Sequence, residues 1–381
     1  MEPFFAPCPR GLEGALSAEL AEIGAEEIAA VEGGVAFRGN YLLCYKANLE
    51  SRIASRVLWH VAEGSYASEN DIYQLAHDLD WARWFDPACT IRVDVSAIRC
   101  PLKSLDFVTL KIKDAICDKF RAATGARPSV ETRNPDARIH AHLDPRKITL
   151  YLDTSGKPLF KRGWRAEGGE APLRENLAAG ILNLSGWKAG IPLLDPMCGS
   201  GTFLIEAAQV ALGIAPGINR SFAFEKLKNF DERAWHELRE QSIARQKPRQ
   251  RLEIFGSDLY GRALKNAREN LARMDLEACV QLKQANALEL SPPAQEGVLV
   301  TNPPYGVRSG ELDELASFYP QLGNVLKQRF AGWRAYLFTA DLRLPKLIGL
   351  SASRRILLYN GALECRLYEY KIVEGSNRQQ R

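Results

Sequence analysis

Two consecutive prolines directly after an apolar run constrain the fold of this chain more than any other feature of its sequence. The run Val298–Val300 has the apolar, β-branched character of a buried strand. Pro303 and Pro304 cannot continue a central strand, because proline lacks the amide N–H that a sheet ladder needs. The chain must therefore turn at the carboxyl end of a buried strand.

This turn offers hydrogen-bond acceptors next to an aromatic ring. The backbone carbonyls of Asn302 and Pro303 are not used in a sheet, and the Asn302 side chain adds a third oxygen. Tyr305 supplies a flat face on which a planar group can stack. The arrangement suits the exocyclic –NH2 of a nucleic-acid base, although Asn and Pro are also common in ordinary turns.

A second apolar strand opens into a glycine-containing loop. Residues 193–202 read Leu-Leu-Asp-Pro-Met-Cys-Gly-Ser-Gly-Thr, and a helix is predicted over residues 203–212. Gly199 and Gly201 let the backbone approach a ligand closely, and the N–H groups at a helix start attract a carboxylate or phosphate. No Lys follows the second Gly and no third Gly is present, so the usual nucleoside-triphosphate and dinucleotide loops are excluded.

Together the two motifs, about a hundred residues apart, resemble class I S-adenosylmethionine-dependent methyltransferases that modify exocyclic amines. Three further segments, residues 172–179, 323–333 and 360–367, resemble the 23S ribosomal RNA guanine-N2 methyltransferases that carry an RNA-binding THUMP domain. The resemblance covers nearly the whole chain. Members of that family often carry a second methyltransferase domain, which does not follow here, so a single activity is expected.

The resemblance implies methyl transfer from S-adenosylmethionine to the N2 amine of a guanine in RNA, with 23S ribosomal RNA or a ribosomal assembly intermediate as partner. Two alternatives stay open: a transfer-RNA guanine-N2 methyltransferase, and a non-catalytic RNA-binding assembly factor. The same tetrapeptide also serves DNA adenine methyltransferases and enzymes that methylate a protein glutamine amide. The expected catalytic residues are Asn302, Pro303, Pro304 and Tyr305.

The pattern from residue 171 onward alternates helix and strand, which predicts an α/β domain with a mostly parallel sheet. Six strands are expected near residues 192–194, 253–256, 280–282, 298–300, 335–339 and 355–359. The Asn360-Gly361 pair predicts a hairpin to a seventh strand over residues 364–371, which agrees with the seven-stranded, Rossmann-like methyltransferase fold.

Ligands of such sheets bind at the carboxyl ends of the strands, where several polar side chains should meet. Asp258 is expected to accept hydrogen bonds from ribose hydroxyls. The Asn286 side-chain oxygen should accept from the adenine amine, and the Ala287 backbone N–H should donate to the adenine. Asp195 is expected to orient the loop and the amino-acid end of the cofactor. Helix N-capping is the alternative for each acidic residue. The expected cofactor-binding set is Asp195, Pro196, Cys198, Gly199, Gly201, Thr202, Asp258, Leu259, Asn286, Ala287 and Asn302.

The N-terminal half predicts two small α+β units. Residues 1–42 are expected to form a ferredoxin-like module, 43–154 a THUMP domain, 155–170 a linker and 171–381 the methyltransferase domain. A long helix ending at Gly125 should bury the stripe Leu105, Val108, Ile112, Ala115, Ile116 and Phe120.

Basic residues concentrate in the second unit and the linker, although the formal net charge is only +4. Such clusters are typical of phosphate contact, and the alternative is a solvated helix face, since Asp106, Asp114 and Asp118 are interleaved. The expected RNA-binding residues are Lys103, Lys111, Lys119, Arg121, Arg162 and Arg165.

The remaining features set limits on the class of protein. A composition of 46% hydrophobic and 25% charged residues is globular, and no apolar run approaches the roughly 20 residues of a membrane span, so a cytoplasmic protein is expected. The eight cysteines are scattered without close pairs, and no metal site is predicted. Residues 213–251 should form an insertion with extra surface helices and a basic end near the substrate, and residues 375–381 a disordered tail.

Overall fold

A computed structural model describes residues 1–165, 173–304 and 309–374 of the chain. Its first half contains eight strands and four helices in an α+β arrangement. In chain order these are β1 (Glu2–Pro7), α1 (Glu13–Ile23), β2 (Glu26–Val31), β3 (Gly34–Gly39), α2 (Tyr41–Glu50), β4 (Leu58–Ser65), α3 (Glu69–Asp78), β5 (Thr90–Ala97), α4 (Leu105–Thr124), β6 (Ser129–Val130), β7 (Ala137–Leu143) and β8 (Lys147–Asp153).

The second half alternates helices and strands, as the sequence predicts. Its elements are α5 (Glu175–Leu184), β9 (Leu193–Asp195), α6 (Thr202–Ala211), α7 (Glu232–Ala244), β10 (Ile254–Asp258), α8 (Gly261–Ala272), β11 (Gln281–Gln284), β12 (Gly297–Thr301), α9 (Ser309–Arg329), β13 (Trp333–Thr339), α10 (Leu344–Leu347), β14 (Arg354–Asn360) and β15 (Leu363–Lys371). Every predicted strand of this half is present, with its ends shifted by at most two residues.

The N-terminal strands form one continuous sheet in the order β2-β3-β1-β4-β8-β7-β5-β6. β4 joins the two predicted units, because it pairs with β1 on one side and with β8 on the other. Sequence periodicity predicts each strand but carries no information on which strands become neighbours, so the shared sheet was not foreseen. The domain boundaries stay predictions.

The long helix α4 ends as expected, at Gly125 with a positive φ of 76°, where glycine has no steric penalty. The buried face contains Val108, Ile112 and Phe120, as predicted. Leu105 is the exception, because it is 37% exposed in the first turn. The helix begins there, after the N-cap Ser104, so Leu105 precedes the packed part of the stripe.

The C-terminal sheet has the order β11-β10-β9-β12-β13-β15-β14. All neighbouring strands are parallel except β15, which is antiparallel to both β13 and β14. This is the predicted seven-stranded, Rossmann-like fold, and Gly361 in the hairpin turn has the positive φ, 67°, that an Asn-Gly turn requires. Side chains from α9, β13 and β15, including Tyr319, Trp333 and Tyr370, form a hydrophobic core on one face of the sheet.

The chain forms two compact units that are not consecutive in sequence. Residues 217–241 belong to the first unit, where Phe224 and Trp235 pack on the ring of Tyr45, at centroid distances of 4.4 and 6.0 Å. The predicted insertion does form a helix, α7, but its aromatic residues Phe222, Phe224 and Trp235 are buried. The segment therefore completes the core of the first unit.

Residues 9–16 belong to the second unit. Gly11 lies so close to the edge strand β14 that a Cβ there would be 2.3 Å from the Leu357 carbonyl oxygen. Leu12 packs against Gly180 of α5, where a Cβ would be 2.3 Å from the leucine side chain. The segment thus covers an edge strand that would otherwise be open to pairing.

No described helix combines the length and apolar character that a membrane span requires.

Candidate active site

Three parallel strands bring their carboxyl ends together at one edge of the C-terminal sheet. Register pairs Asp195, the last residue of β9, with Gly256 of β10, and Leu194 with Leu299 of β12. Asp258 and Thr301, which end β10 and β12, therefore lie along the same edge as Asp195. The sequence correctly predicted this convergence.

The glycine loop after β9 is held by carboxylates from two strands. The Met197 N–H donates to Asp195 Oδ1 (3.2 Å), and the Gly199 N–H donates to Asp258 Oδ2 (2.9 Å). Gly199 and Gly201 have φ values of 52° and 82°, which a residue with a side chain rarely adopts. A Cβ on Gly201 would lie 3.3 Å from the Ala267 side chain, so this glycine also permits close packing of α8.

Both oxygens of the Asp258 carboxylate accept hydrogen bonds from backbone N–H groups. Besides Gly199, it accepts from the Tyr260 N–H at Oδ1 (3.0 Å). Each carboxylate oxygen has a further lone pair, so a ligand hydroxyl can still be accepted. Leu259 and Tyr260 next to it are 52% and 71% exposed. Sequence reasoning missed the exposed ring of Tyr260 beside this carboxylate.

The pKa of the Asp195 carboxyl is strongly raised. It is almost fully buried, and burial raises its pKa to about 7, with a smaller contribution from the negative charge of Asp258. The Thr301 hydroxyl and the Met197 N–H act in the opposite direction. Asp195 therefore titrates in the neutral range.

Asn286 lies two residues beyond the end of β11 and not within the strand. Its side-chain oxygen accepts the Leu288 N–H (3.0 Å), a local turn contact. The preceding residue, Ala285, donates its N–H to the Asp258 carbonyl (3.2 Å), which brings this loop next to the end of β10. Ala287 is buried.

Arg162 and Arg165, expected to bind RNA, have side chains directed into the methyltransferase unit. Arg162 forms an ion pair with Glu206 (3.2 Å) in which both side chains are at most 1% exposed. Arg165 donates to Glu175 (3.0 Å), to the hydroxyls of Ser200 (3.1 Å) and Thr202 (3.0 Å), and to the Leu173 carbonyl (3.3 Å). Arg162 is engaged in a buried ion pair and Arg165 in contacts around the glycine loop, so this geometry does not favour the expected RNA contacts, which stay predictions.

Arg165 and Asn270 together fix the outer side of the glycine loop. Asn270 of α8 donates to the Ser200 carbonyl (3.0 Å) while its own oxygen accepts from Arg273 (2.8 Å). Sequence analysis missed Asn270 and Glu175. Arg165 is a basic residue in a predicted linker and Asn270 a polar residue in an amphipathic helix. Nothing in their sequence context indicates that both contact the glycine loop.

The acceptor loop begins directly after the buried end of β12. Asn302 is half-buried, Pro303 is buried and Pro304 is exposed. Tyr305, the fourth expected catalytic residue, lies outside the described residues.

The expected cofactor-binding residues Pro196, Cys198 and Thr202 are buried within the glycine loop and the start of α6.

The four remaining basic residues of the expected RNA-binding set are associated with α4. Lys103 is exposed just before the helix, and Arg121 is exposed but pairs with Asp118 (2.9 Å). The Lys111 ammonium lies 5.8 Å from the ring centroid of Tyr73 and 5.4 Å from that of Phe107. Phe107 and Leu110 are about half exposed on the same helix.

Comparison with known protein families supports the assignment of each part of the chain. Residues 162–369 match the RMKL-like methyltransferase domain model, which is more than half of the chain. The chain belongs to the RMKL-like methyltransferase family. Residues 66–153 match the THUMP domain, and residues 3–58 match the RlmL ferredoxin-like domain. The family resemblance inferred from sequence motifs is thereby confirmed.

Relatives and solved structures agree with this membership. The chain is 41% identical over 380 residues to a ribosomal RNA large subunit methyltransferase K/L of Shewanella sp. (strain ANA-3), covering 98% of this chain and 53% of that protein. It thus spans about half the length of the first curated relatives it matches. A putative RNA methyltransferase of Synechocystis sp. is 39% identical and covered over 97% of both chains.

Two solved structures share the fold over almost their whole length. A putative methyltransferase complexed with SAH has a TM-score of 0.90 at 30% identity, with 98% of this chain and 99% of that chain covered. A predicted N6-adenine-specific DNA methylase from Listeria monocytogenes has a TM-score of 0.89 at 27% identity, with coverage of 97% and 96%.

Among residues 1–165, 173–304 and 309–374, no group of three or more His, Cys, Asp or Glu side chains could hold a metal ion.

Proposed function

We propose that this methyltransferase domain transfers a methyl group from S-adenosylmethionine to the exocyclic N2 amine of a guanine in RNA, with large-subunit ribosomal RNA as substrate. One observation carries the proposal. The Asn302-Pro303-Pro304 turn directly follows β12, at the same sheet edge as the glycine loop that Asp195 and Asp258 hold. An amine acceptor and a cofactor loop therefore share one edge.

S-adenosylmethionine supplies an electrophilic methyl group on a sulfonium centre. The residues present fit this cofactor: Asp258 retains lone pairs for ribose hydroxyls, and the buried Asp195 carboxylate suits the ammonium group of the amino-acid end. Gly199 has open space where a side chain would be, which leaves room for close backbone approach. The structure of a relative that holds SAH supports the same class of cofactor.

The acceptor turn would make the amine a better nucleophile. The lone pair of an aromatic amine is delocalised into the ring, so the amine must rehybridise before it attacks. Asn302 and the Pro303 carbonyl accept its two hydrogens and stabilise the positive charge that develops on nitrogen. The nitrogen–carbon bond would form as the carbon–sulfur bond breaks, which leaves a neutral thioether, and the methylated amine would then give its extra proton to water. The base must be flipped out and aligned with the methyl group.

Carbon methylation of a pyrimidine fits the site less well, because it requires a cysteine nucleophile. The described part of the acceptor turn, Asn302 to Pro304, holds no cysteine. Cys198 of the glycine loop is buried, and burial raises the pKa of its thiol well above the usual range. An amine acceptor therefore remains the better interpretation.

Cofactor affinity should depend on pH through Asp195. With a pKa of about 7, the carboxyl is largely protonated at pH 6 and largely ionised at pH 8, so affinity for the cationic cofactor should rise about tenfold over this range. Calorimetric titration of the parent and of Asp195→Asn checks this, since the amide variant should show a flat profile across these pH values. An equal rise in both proteins would contradict the assignment.

The same carboxyl should affect stability in the opposite direction. Its pKa in the folded state lies above the unfolded value of roughly 3.9, so the native state binds the extra proton between about pH 4 and pH 7. The stability contributed by this proton is present at low pH and decreases as pH rises towards 7.

RNA affinity should depend on the basic residues of α4. Replacing Lys111, Lys119 and Arg121 together by Gln should weaken RNA binding and reduce the log–log salt slope by roughly 0.7–0.9 for each lost phosphate contact. Cofactor affinity should not change. Filter binding over a series of salt concentrations measures the slope, and Lys228→Gln with Arg233→Gln, which removes two positive charges elsewhere in the first unit, is the control. An unaltered slope in the triple variant would identify this face as merely solvated.

The choice of base and RNA requires a direct product analysis. Labelled cofactor is incubated with total RNA from a strain that lacks the enzyme, and the methylated nucleoside is then mapped by mass spectrometry. N2-methylguanosine in 23S ribosomal RNA is the expected product. N2-methylguanosine in transfer RNA would favour the first alternative, and N6-methyladenine would favour the chemistry named for the Listeria structure. Undetectable binding at millimolar cofactor would favour a non-catalytic RNA-binding factor.

A further inference from the structure

An exposed aromatic ring lies on the outer face of α4, where the hydrophobic core does not require it. Phe107 and Leu110, which are neighbours on the helix surface, are 47% and 51% exposed. The inner face of the helix is already packed, since Val108, Ile112 and Phe120 are at most 1% exposed. The helix is thus anchored without Phe107, whose ring presents a flat apolar surface to solvent.

Phe107 is held in place next to a cation. Its backbone N–H donates to the Oγ of Ser104, the N-cap residue of α4 (3.2 Å). The Lys111 ammonium lies 5.4 Å from the centroid of the Phe107 ring and 5.8 Å from that of Tyr73 in α3. The Tyr73 hydroxyl in turn donates to Asp118 (3.0 Å), which links α3 to α4. A flat ring and a lysine charge are therefore combined on one anchored surface.

The charge of this surface is positive. Lys103 is exposed immediately before α4, and neither Lys103 nor Lys111 has a carboxylate partner in the part of the chain that the structure describes. Two of the three α4 carboxylates have cations of their own, which are Asp114 with Lys113 (2.5 Å) and Asp118 with Arg121 (2.9 Å). The two lysines therefore outnumber the remaining carboxylate, Asp106, and the surface attracts an anion.

We propose that Phe107 stacks on the base of an unpaired RNA nucleotide, while Lys103 and Lys111 bind phosphates next to that nucleotide. This inference rests on the proposed function, because it takes the RNA ligand from it. A base stacks on an exposed flat ring, and adjacent cations hold its phosphates. A protein partner fits this surface less well, since lysine is depleted at protein–protein interfaces.

The stacking site determines which kind of RNA the α4 surface binds. In a helical RNA the bases are paired and stacked on one another, so their faces are not open to a side chain. Bases in bulges, loops and single strands can leave the stack and pack on an aromatic ring. The RNA bound at Phe107 therefore contains at least one unpaired nucleotide.

The first test separates a flat ring from an apolar side chain at position 107. Phe107→Leu keeps an apolar side chain but removes the ring, and it should weaken RNA binding about 5- to 100-fold, the range of one base–aromatic stack. Phe107→Trp retains a flat ring and should bind RNA within about threefold of the parent. Leu42→Ala, at a leucine that is 42% exposed on α2, is the control and should leave RNA affinity unchanged. These positions are exposed, so the variants should keep the fold.

The salt dependence of RNA binding distinguishes the ring from the lysines. Stacking neutralises no phosphate, so Phe107→Leu should lower RNA affinity without changing the log–log salt slope. Lys103→Gln and Lys111→Gln should each reduce the slope by roughly 0.7, the value for one lost contact to a single strand. Filter binding over a series of salt concentrations measures the affinity and the slope together.

A set of RNA probes tests whether the stacked base is unpaired. The first probe is a duplex of fixed sequence, the second is the same duplex with one bulged nucleotide, and the third has an abasic sugar at the bulge. The parent should bind the bulged duplex about 5- to 100-fold more tightly than the other two probes. Phe107→Leu should bind all three alike, because it lacks the ring on which the bulged base stacks.

The outcomes separate this inference from the function on which it rests. If the parent methylated RNA and Phe107→Leu bound RNA as tightly as the parent, the stacking site would be wrong and the proposed function would stand. A preference for the bulged duplex that survived in Phe107→Leu would also overturn the site. Self-association of the parent that Phe107→Leu abolished, with unchanged RNA affinity, would assign the surface to a second copy of the chain instead. A parent that bound RNA through Phe107 but transferred no methyl group to any RNA would support the stacking site and overturn the proposed function.

Discussion

Asn302→Ala should lower the rate of methyl transfer by about 10²–10³, the scale for removing one preorganised polar group from an active site. Asn302 directly follows the buried end of β12 and precedes Pro303, which is also buried. The backbone of Asn302 is therefore tightly constrained. In the proposed reaction, the hydrogen bond that Asn302 accepts would strengthen as positive charge develops on the amine. Its loss therefore affects the transition state more than the bound substrate.

Single-turnover methylation at saturating RNA and cofactor is the measurement that isolates this step. RNA and cofactor affinities of Asn302→Ala should remain close to those of the parent. Tyr305→Ala is the comparison, and it should raise the RNA requirement as well as slow transfer, because stacking of a flipped base contributes about 1–3 kcal/mol. If Asn302→Ala transferred the methyl group within threefold of the parent rate, the turn would have only a structural role.

The sheet that presents this turn was largely predictable, because its strands are short apolar runs separated by strong turn signals. The Asn360-Gly361 pair, the two prolines after β12 and the glycines after β9 each fix the chain locally, and each appears where it was expected. The convergence of Asp195 and Asp258 follows from strand order in a parallel sheet. Local sequence was sufficient for these features.

The features that sequence did not reveal depend on contacts between distant segments. Arg165 pairs with Glu175 and with the glycine loop, and the choice of these partners over phosphate is made by packing. Residues 217–241 read as a surface insertion because their aromatic residues are interleaved with charges, yet those rings pack on Tyr45 of the first unit. Charge and hydrophobicity patterns report that a side chain needs a partner, but not which partner it finds.

Arg165→Ala should weaken S-adenosylmethionine binding by about 10²-fold and also lower the stability of the protein. The guanidinium bridges Glu175, the Ser200 and Thr202 hydroxyls and the Leu173 carbonyl. Its removal leaves the Glu175 carboxylate, only 7% exposed, without its partner, and breaking a buried pair in this way typically costs about 3–5 kcal/mol. Burial already raises the pKa of Glu175, which shows how strongly the site disfavours an unpaired charge.

A second variant separates the role of Arg165 in positioning the loop from its role in stability. Arg165→Met combined with Glu175→Leu replaces the ion pair by apolar side chains of similar volume, a change that is often neutral or stabilising. The double variant should regain thermal stability, but Ser200 and Thr202 still lack their donor, so its cofactor affinity should remain low. Arg162→Met with Glu206→Leu is the comparison, because it replaces a second buried ion pair (3.2 Å) by apolar side chains in the same way. If cofactor affinity recovered together with stability in the Arg165 double variant, Arg165 would only stabilise the fold. If stability recovered without cofactor affinity, Arg165 would be the residue that holds the loop in its binding conformation.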